Sequence, residues 1–267
     1  MWTIGCRDRL QHLRSFSCGV LESATPFPGW MGAADSHCLV VNGVPKSGTY
    51  LLRQVALSLT GWPAAPVHVN ASNWAGAGGD THLSRAGWSL RRARFGMVLA
   101  SHLPHTWWTA ATLHAHGKAF IHWMIYRDPR DALVSWGRFH PSVSSLPDGE
   151  RVHRAVHARV GFPAYRWAPW RQDQRCTSVR FRDLYLDLLN EVERSETIER
   201  LVDSLPMPPA LTTVKDLARE VLWSGPTATD MKQKVGQWRR DISPSDTLYL
   251  QRHPVFTRTM NQLGFSW

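Results

Sequence analysis

The fold is decided by the stretch Cys38-Leu-Val-Val-Asn-Gly-Val-Pro-Lys-Ser-Gly-Thr-Tyr-Leu-Leu-Arg-Gln-Val-Ala-Leu-Ser-Leu59. Its apolar start, residues 38–44, predicts a buried strand, and the apolar spacing over residues 49–60 predicts a helix. The turn between them is Pro45-Lys46-Ser47-Gly48-Thr49. Backbone N–H groups and the dipole at a helix N-terminus favour an anion, so we expect bound phosphate or sulfate here. An ordinary strand–turn–helix connection with a capping Ser or Thr is the alternative.

The order of residues in this turn distinguishes it from the loop of nucleotide hydrolases. That loop has the pattern G-x-x-x-x-G-K-[ST], in which Lys follows the last Gly. Here Lys46 precedes Gly48, so its side chain would reach an anion from the strand side. No Lys stands where a nucleotide hydrolase would need it to contact a γ-phosphate.

Size and composition favour one α/β domain. The chain has 267 residues, of which 43% are hydrophobic and 14 are Trp. We expect a domain over residues 36–267, preceded by a segment, residues 1–35, whose structure the sequence does not predict. The four Cys show no spacing typical of zinc ligands, and Cys38 and Cys176 fall in apolar segments, which predicts buried thiols.

Charge points to an anionic partner. The formal net charge is +10, which suits a charged nucleotide, an acidic substrate, nucleic acid or a membrane surface, although a solvated basic surface would have the same composition. The N-terminus lacks the apolar core of a signal peptide, and no apolar run reaches 18 residues, so a cytoplasmic protein without a membrane span is expected.

Strands and helices are predicted to alternate along the chain. Such alternation indicates a central parallel sheet flanked by helices, in which ligands bind beyond the carboxyl ends of the strands. Gly-, Pro- and Ser-rich composition predicts loops over residues 61–82 and 141–149. The further predicted elements are strands at 97–101, 119–126 and 177–181, and helices at 129–139, 150–160, 182–204 and from Ser243 to near Gly264.

Two other strand ends carry reactive or charged side chains. Arg127 follows the strand 119–126, and Ser135 lies about two helical turns later; a guanidinium and a hydroxyl together suit a phosphate monoester. His102 follows the strand 97–101 and is the side chain best suited to accept a proton near neutral pH. A surface Arg–Asp network and a structural histidine are the simpler interpretations of these residues.

Together these segments resemble the sulfotransferases that use 3′-phosphoadenosine 5′-phosphosulfate (PAPS). The similar segments occur in the family's order and cover roughly residues 38–264. They are Pro45-Lys-Ser-Gly-Thr49, His102-Leu-Pro104, Arg127-Asp-Pro-Arg-Asp-Ala-Leu-Val-Ser135, Val179-Arg-Phe-Arg-Asp-Leu184 and Lys232-Gln-Lys-Val-Gly-Gln-Trp238.

The resemblance implies transfer of a sulfuryl group from PAPS to a hydroxyl, or an amine, of a small-molecule or sugar acceptor. It makes His102 the base and Lys46 the group that neutralises charge on the breaking bond, with no metal ion. The product would be 3′,5′-adenosine bisphosphate. The residues implied in donor binding are Lys46, Ser47, Gly48, Thr49, Tyr50, Arg127, Ser135, Phe181 and Lys232.

The chain departs from the family pattern at several positions. Met231 and Gln233 replace basic and small residues that flank Lys232, and Ala100 replaces a Lys near the base. Leu51 replaces a Trp that stacks on adenine, so the sequence suggests Phe181 for that role.

Two other classes of function fit parts of the sequence. A P-loop nucleotide kinase would need a Lys after the last Gly of the turn, and a catalytically inactive protein that binds nucleotides or nucleic acid would suit the positive charge and the many Trp. We expect neither a nucleic-acid nor a membrane partner. The identity of the acceptor and the oligomeric state are left open.

Overall fold

The computed structural model describes residues 37–70, 96–106, 109–110, 113, 120–139, 145–211, 213–223 and 235–267. Its strands are β1 (Cys38–Gly43), β2 (Ala64–Asn70), β3 (Met97–His102), β4 (Phe120–Tyr126) and β5 (Cys176–Arg180). Its α-helices are α1 (Thr49–Thr60), α2 (Pro129–Phe139), α3 (Asp148–Arg159), α4 (Phe181–Leu189), α5 (Glu196–Asp203), α6 (Val214–Ala218), α7 (Trp238–Asp241), α8 (Pro244–Arg252) and α9 (Pro254–Leu263). A 3-10 helix spans Ala164–Arg171, and a π-helical turn spans Arg219–Trp223.

The five strands form one parallel sheet in the order β2-β3-β1-β4-β5. Strand β1 lies at its centre, with Asn42 opposite Ser101 of β3 and opposite Met124 of β4. Helices flank the sheet, so the predicted α/β class with a central parallel sheet is confirmed.

Strand β2 corrects one prediction. Residues 61–82 were expected to form a loop, but β2 occupies Ala64–Asn70 and pairs with β3. Strand β2 contains Pro66, which has no backbone N–H to donate to a neighbouring strand. Proline is tolerated here because β2 lies at the edge of the sheet. Residues 71–82 lie outside the described residues.

Element boundaries elsewhere differ from expectation by a few residues. The predicted strand 177–181 is β5, but Phe181 is the first residue of α4. Helix α3 begins at Asp148, within the expected loop 141–149. The start of the last helical region is confirmed, since the Ser243 side chain accepts a hydrogen bond from the Asp246 N–H.

Side chains alternate along β1, and both faces of the sheet are buried. Leu39 and Val41 pack with α1 and α4 on one face, whereas Cys38 and Val40 pack with the 3-10 helix on the other. Burial on both faces explains why this strand is a continuous apolar run.

The two cysteines on the sheet are buried, as predicted. Burial raises the pKa of the Cys38 thiol to about 12, and it also raises the pKa of Cys176. Both groups are therefore neutral thiols at physiological pH, which limits their reactivity. Among the helices that the structure describes, none has the length and apolar character needed to cross a membrane.

Helices α2 and α3 approach each other closely at Gly137. A Cβ atom at this position would lie 2.9 Å from the backbone oxygen of Arg151 and 3.1 Å from Cα of Val152. Glycine thus sets the distance between α2, which follows β4 directly, and α3.

We expect Gly137→Ala to lower the free energy of unfolding by roughly 1–3 kcal/mol, because the added methyl group forces two backbones apart. Gly149→Ala is the matched control in helix α3, since a Cβ there meets no described residue within 4 Å. This control should be neutral or stabilise by up to about 1 kcal/mol. Urea unfolding of both variants tests the prediction, and equal stabilities would contradict it.

Candidate active site at the carboxyl edge of the sheet

The parallel sheet brings three predicted site segments to one edge. Because β3, β1 and β4 are neighbours and run in the same direction, their carboxyl ends lie side by side. His102 ends β3, the turn 45–48 follows β1, and Arg127 follows β4. The predicted base, the predicted anion-binding turn and the predicted phosphate-binding arginine are therefore close in space.

The backbone of the turn is held in an unusual conformation. Lys46 has a φ of 67° and Gly48 has a φ of 100°, both in the left-handed region. A non-glycine residue there costs free energy and persists only when its surroundings enforce it. Gly48 has a second constraint, because a Cβ would lie 2.3 Å from the ring of Phe181.

Ser47 fixes this turn to the end of β4. It is buried, its N–H donates to the Val44 carbonyl, and its hydroxyl lies 3.0 Å from the Ile125 carbonyl oxygen. The side chain therefore helps to enforce the strained backbone at Lys46. Its predicted contact with a ligand stays a prediction.

Helix α1 begins at a glycine N-cap, which has no side chain that could cap the helix. Gly48 is the N-cap residue, and the first N–H groups of a helix have no acceptor within it. Buried Thr49 has a hydroxyl that makes no hydrogen bond with any described residue. Tyr50 is 55% exposed, so the helix start presents an aromatic ring to solvent.

Lys46 adds a partly desolvated cation to this helix start. Burial lowers the pKa of its ammonium group from the ordinary value. An anion in contact with Lys46 would oppose this effect, because a nearby negative charge favours the protonated form. The turn therefore combines a cation and a helix dipole that both favour an anion.

His102 has a defined tautomer. Its Nδ1 lies 2.8 Å from the carbonyl oxygen of Gly43. A carbonyl only accepts hydrogen bonds, so Nδ1 carries the hydrogen, and the neutral ring keeps its lone pair on Nε2. This tautomer is the one that a general base requires when Nε2 accepts the proton.

Asn42 positions His102, and we did not anticipate its role. Its fully buried amide donates to the Leu103 carbonyl at 2.9 Å and accepts from the N–H groups of Leu103 and Gly43. These bonds join β1 to β3 where both strands end. The signal in the sequence was a single amide side chain in an otherwise apolar strand.

Arg127 is buried beside a carboxylate. Its guanidinium carbon lies 4.6 Å from the ring centroid of Phe181. Burial is the main cause that lowers the pKa of Arg127, and the charges of Asp131 and Asp128 oppose that shift. Arginine stays protonated despite the shift, so this edge of the sheet keeps a fixed positive charge.

Asp131 links this arginine to the C-terminal segment and was also not anticipated. Its carboxylate accepts hydrogen bonds from the N–H groups of Gly236, at 2.8 Å, and Trp238, at 3.1 Å. Burial raises the pKa of Asp131, opposed by the Arg127 charge and by these two N–H donors. Half-buried Ser135 lies one helical turn further along α2, on the same side as Asp131.

Phe181, one of the predicted donor-binding residues, has a different environment from the one expected. Phe181 is only 3% exposed and stacks on Tyr185, with ring centroids 5.4 Å apart. Its ring lies between Gly48 and Arg127, so in this structure it is a packing partner and has no open face for adenine. Lys232 lies outside the described residues.

Comparison of the chain with models of known protein families and with curated proteins finds no significant match.

We expect Asn42→Ala to lower the free energy of unfolding by about 2 kcal/mol or more, since it leaves buried backbone groups without partners. Ser101→Ala is the matched control, because Ser101 lies opposite Asn42 on β3 and its buried hydroxyl bonds to no described residue. That variant should be neutral or slightly stabilising. Thermal or urea unfolding compares the two, and a mild effect at position 42 would contradict the role of the amide.

Proposed function

We propose that this protein is a PAPS-dependent sulfotransferase that transfers a sulfuryl group to a hydroxyl, or an amine, of a small-molecule or sugar acceptor. The observation that carries the proposal is the hydrogen bond from His102 Nδ1 to the Gly43 carbonyl at 2.8 Å. This hydrogen bond places the imidazole of His102, a potential base, beside the end of β1, where the turn that favours anions begins. Arg127 follows β4, the strand on the other side of β1.

The proposed donor site has two anion-binding parts separated by Phe181. The P-loop-like turn, with Lys46 and the N-terminus of α1, would bind the 5′-phosphosulfate, because both carry positive charge. Arg127 would bind the 3′-phosphate through its planar N–H groups. Tyr50, whose ring is exposed, would take the adenine contact first assigned to Phe181.

His102 and Lys46 have complementary roles in the proposed reaction. The donor supplies an activated sulfuryl group. His102 Nε2 accepts the proton of the acceptor hydroxyl as its oxygen bonds to sulfur, while the bond from sulfur to the phosphate oxygen breaks in line. The electron pair of the broken bond stays on that oxygen, and the Lys46 ammonium stabilises the charge. Protein cations would thus supply the positive charge that Mg²⁺ supplies in kinases.

We expect His102→Ala to lower kcat by about 10²–10⁴-fold, the contribution typical of a positioned base, with little change in donor binding. Turnover is measured with labelled PAPS and an acceptor found by screening, and affinity is measured by titration with 3′,5′-adenosine bisphosphate.

His37→Ala is the control for this variant, because His37 precedes β1 at the opposite end of the strand. The control should keep wild-type turnover. If His102→Ala kept wild-type turnover as well, the assignment of the base would be wrong. If neither His102→Ala nor His37→Ala bound 3′,5′-adenosine bisphosphate, the proposal that PAPS is the donor would be wrong.

Arg127→Lys tests the second anion-binding part, because lysine keeps the charge beside Asp131 but loses the planar pair of donors. We expect wild-type protein to bind 3′,5′-adenosine bisphosphate more tightly than 5′-AMP, and Arg127→Lys to lose at least about tenfold of this preference. Isothermal titration of both ligands measures it. An unchanged preference in the variant would place the 3′-phosphate elsewhere.

A further inference from the structure

Helices α3 and α8 bring two histidines and a buried aspartate together, away from the sheet edge. His153 Nδ1 lies 2.9 Å from Oδ1 of Asp246, and His157 Nε2 lies 3.2 Å from the same oxygen. One ligand atom from each of these residues lies within 4.8 Å of the other two. The two histidines are four residues apart on α3, so they share one face of the helix.

We propose that these three residues form a binding site for a divalent transition-metal ion of the zinc type. Two imidazoles and one carboxylate are a ligand set that suits Zn²⁺, whereas Ca²⁺ and Mg²⁺ prefer oxygen ligands only. With metal–ligand distances of about 2.0–2.1 Å, tetrahedral ligand atoms lie about 3.3 Å apart, close to the two nitrogen–oxygen distances here.

Groups around these three residues hold them in orientation. The Ser243 hydroxyl donates to Oδ2 of Asp246 at 2.9 Å, which leaves Oδ1 directed at the histidines. The ring of His157 stacks on Tyr249, with centroids 4.3 Å apart. Outer contacts of this kind are typical of metal sites, because they fix the carboxylate and the imidazole before the ion arrives.

The solvent exposure of the three side chains indicates which coordination position of the ion would be open to water. The Asp246 side chain is 5% exposed, whereas those of His153 and His157 are 58% and 43% exposed. Solvent therefore reaches the site from the histidine side, and water would fill the fourth position. The ion would join α3 to α8, so its binding should stabilise the folded chain.

A simple hydrogen-bonded contact is the competing explanation. An imidazole N–H from each histidine can donate to Oδ1 of Asp246 without any ion. This alternative predicts weak Zn²⁺ binding that does not depend on these three residues, so titration separates the two cases.

Isothermal titration with ZnCl₂, using chain without a histidine tag, tests the proposal. We expect one equivalent to bind wild-type protein and Arg154→Ala, a control on an exposed position of the same helix. The double variant His153→Ala/His157→Ala should bind at least about 100-fold more weakly, since even outer contacts contribute 10–100-fold. Zinc should raise the Tm of the first two proteins only.

Asp246→Asn is the second variant, because its amide oxygen can still accept from Ser243 while the NH2 group takes the place of Oδ1 and cannot bind a metal ion. It should lose the same affinity while its circular dichroism stays native. The proposal is overturned if wild-type protein binds no zinc, or if either ligand variant binds it with wild-type affinity. Neither result bears on the sulfotransferase proposal, which depends on residues at the sheet edge.

Discussion

The site depends on the buried amide of Asn42. Parallel strands are joined by slanted hydrogen bonds along their length, but at their ends the ladder stops and the chains are free to diverge. Asn42 continues the pairing beyond the ladder, because one side chain both donates to and accepts from Leu103 and also accepts from the Gly43 N–H. This holds His102 against the carbonyl of Gly43, so the tautomer of the proposed base follows from how two strands end.

At the carboxyl edge of the sheet, the buried carboxylate of Asp131 favours the protonated form of Arg127. Arg127 is desolvated, and so is Asp131, whose charge favours protonated Arg127. Asp131 also accepts hydrogen bonds from the N–H groups of Gly236 and Trp238, so the backbone of the C-terminal segment holds its carboxylate in place. The same contact brings the C-terminal segment to the predicted phosphate site.

Sequence patterns predicted those parts of the structure that depend only on residues close together in the chain. The apolar run of β1, the glycine turn and the helical spacing of α1 are each contained in a few neighbouring residues, and the parallel order of strands then placed His102 and Arg127 at one edge. The burial of Phe181 could not be predicted from its own segment, because it depends on Gly48 and Arg127, which follow two other strands. The contacts of Asp131 could not be predicted from local sequence, because its backbone partners Gly236 and Trp238 are 105 and 107 residues away in the chain.

The stretch from Gly236 to Asp246 is anchored at both ends by carboxylates. Asp131 holds Gly236 and Trp238 at its start, and Asp246, with His153 and His157, fixes α8 at its end. Both anchors depend on the same pair of helices, because α2 carries the first carboxylate and α3 carries the histidines. The close approach of α2 and α3 at Gly137 sets the spacing between the two anchors. A short stretch fixed at two points onto one packed helix pair has little freedom to move, so these contacts favour a fixed backbone geometry beside Arg127.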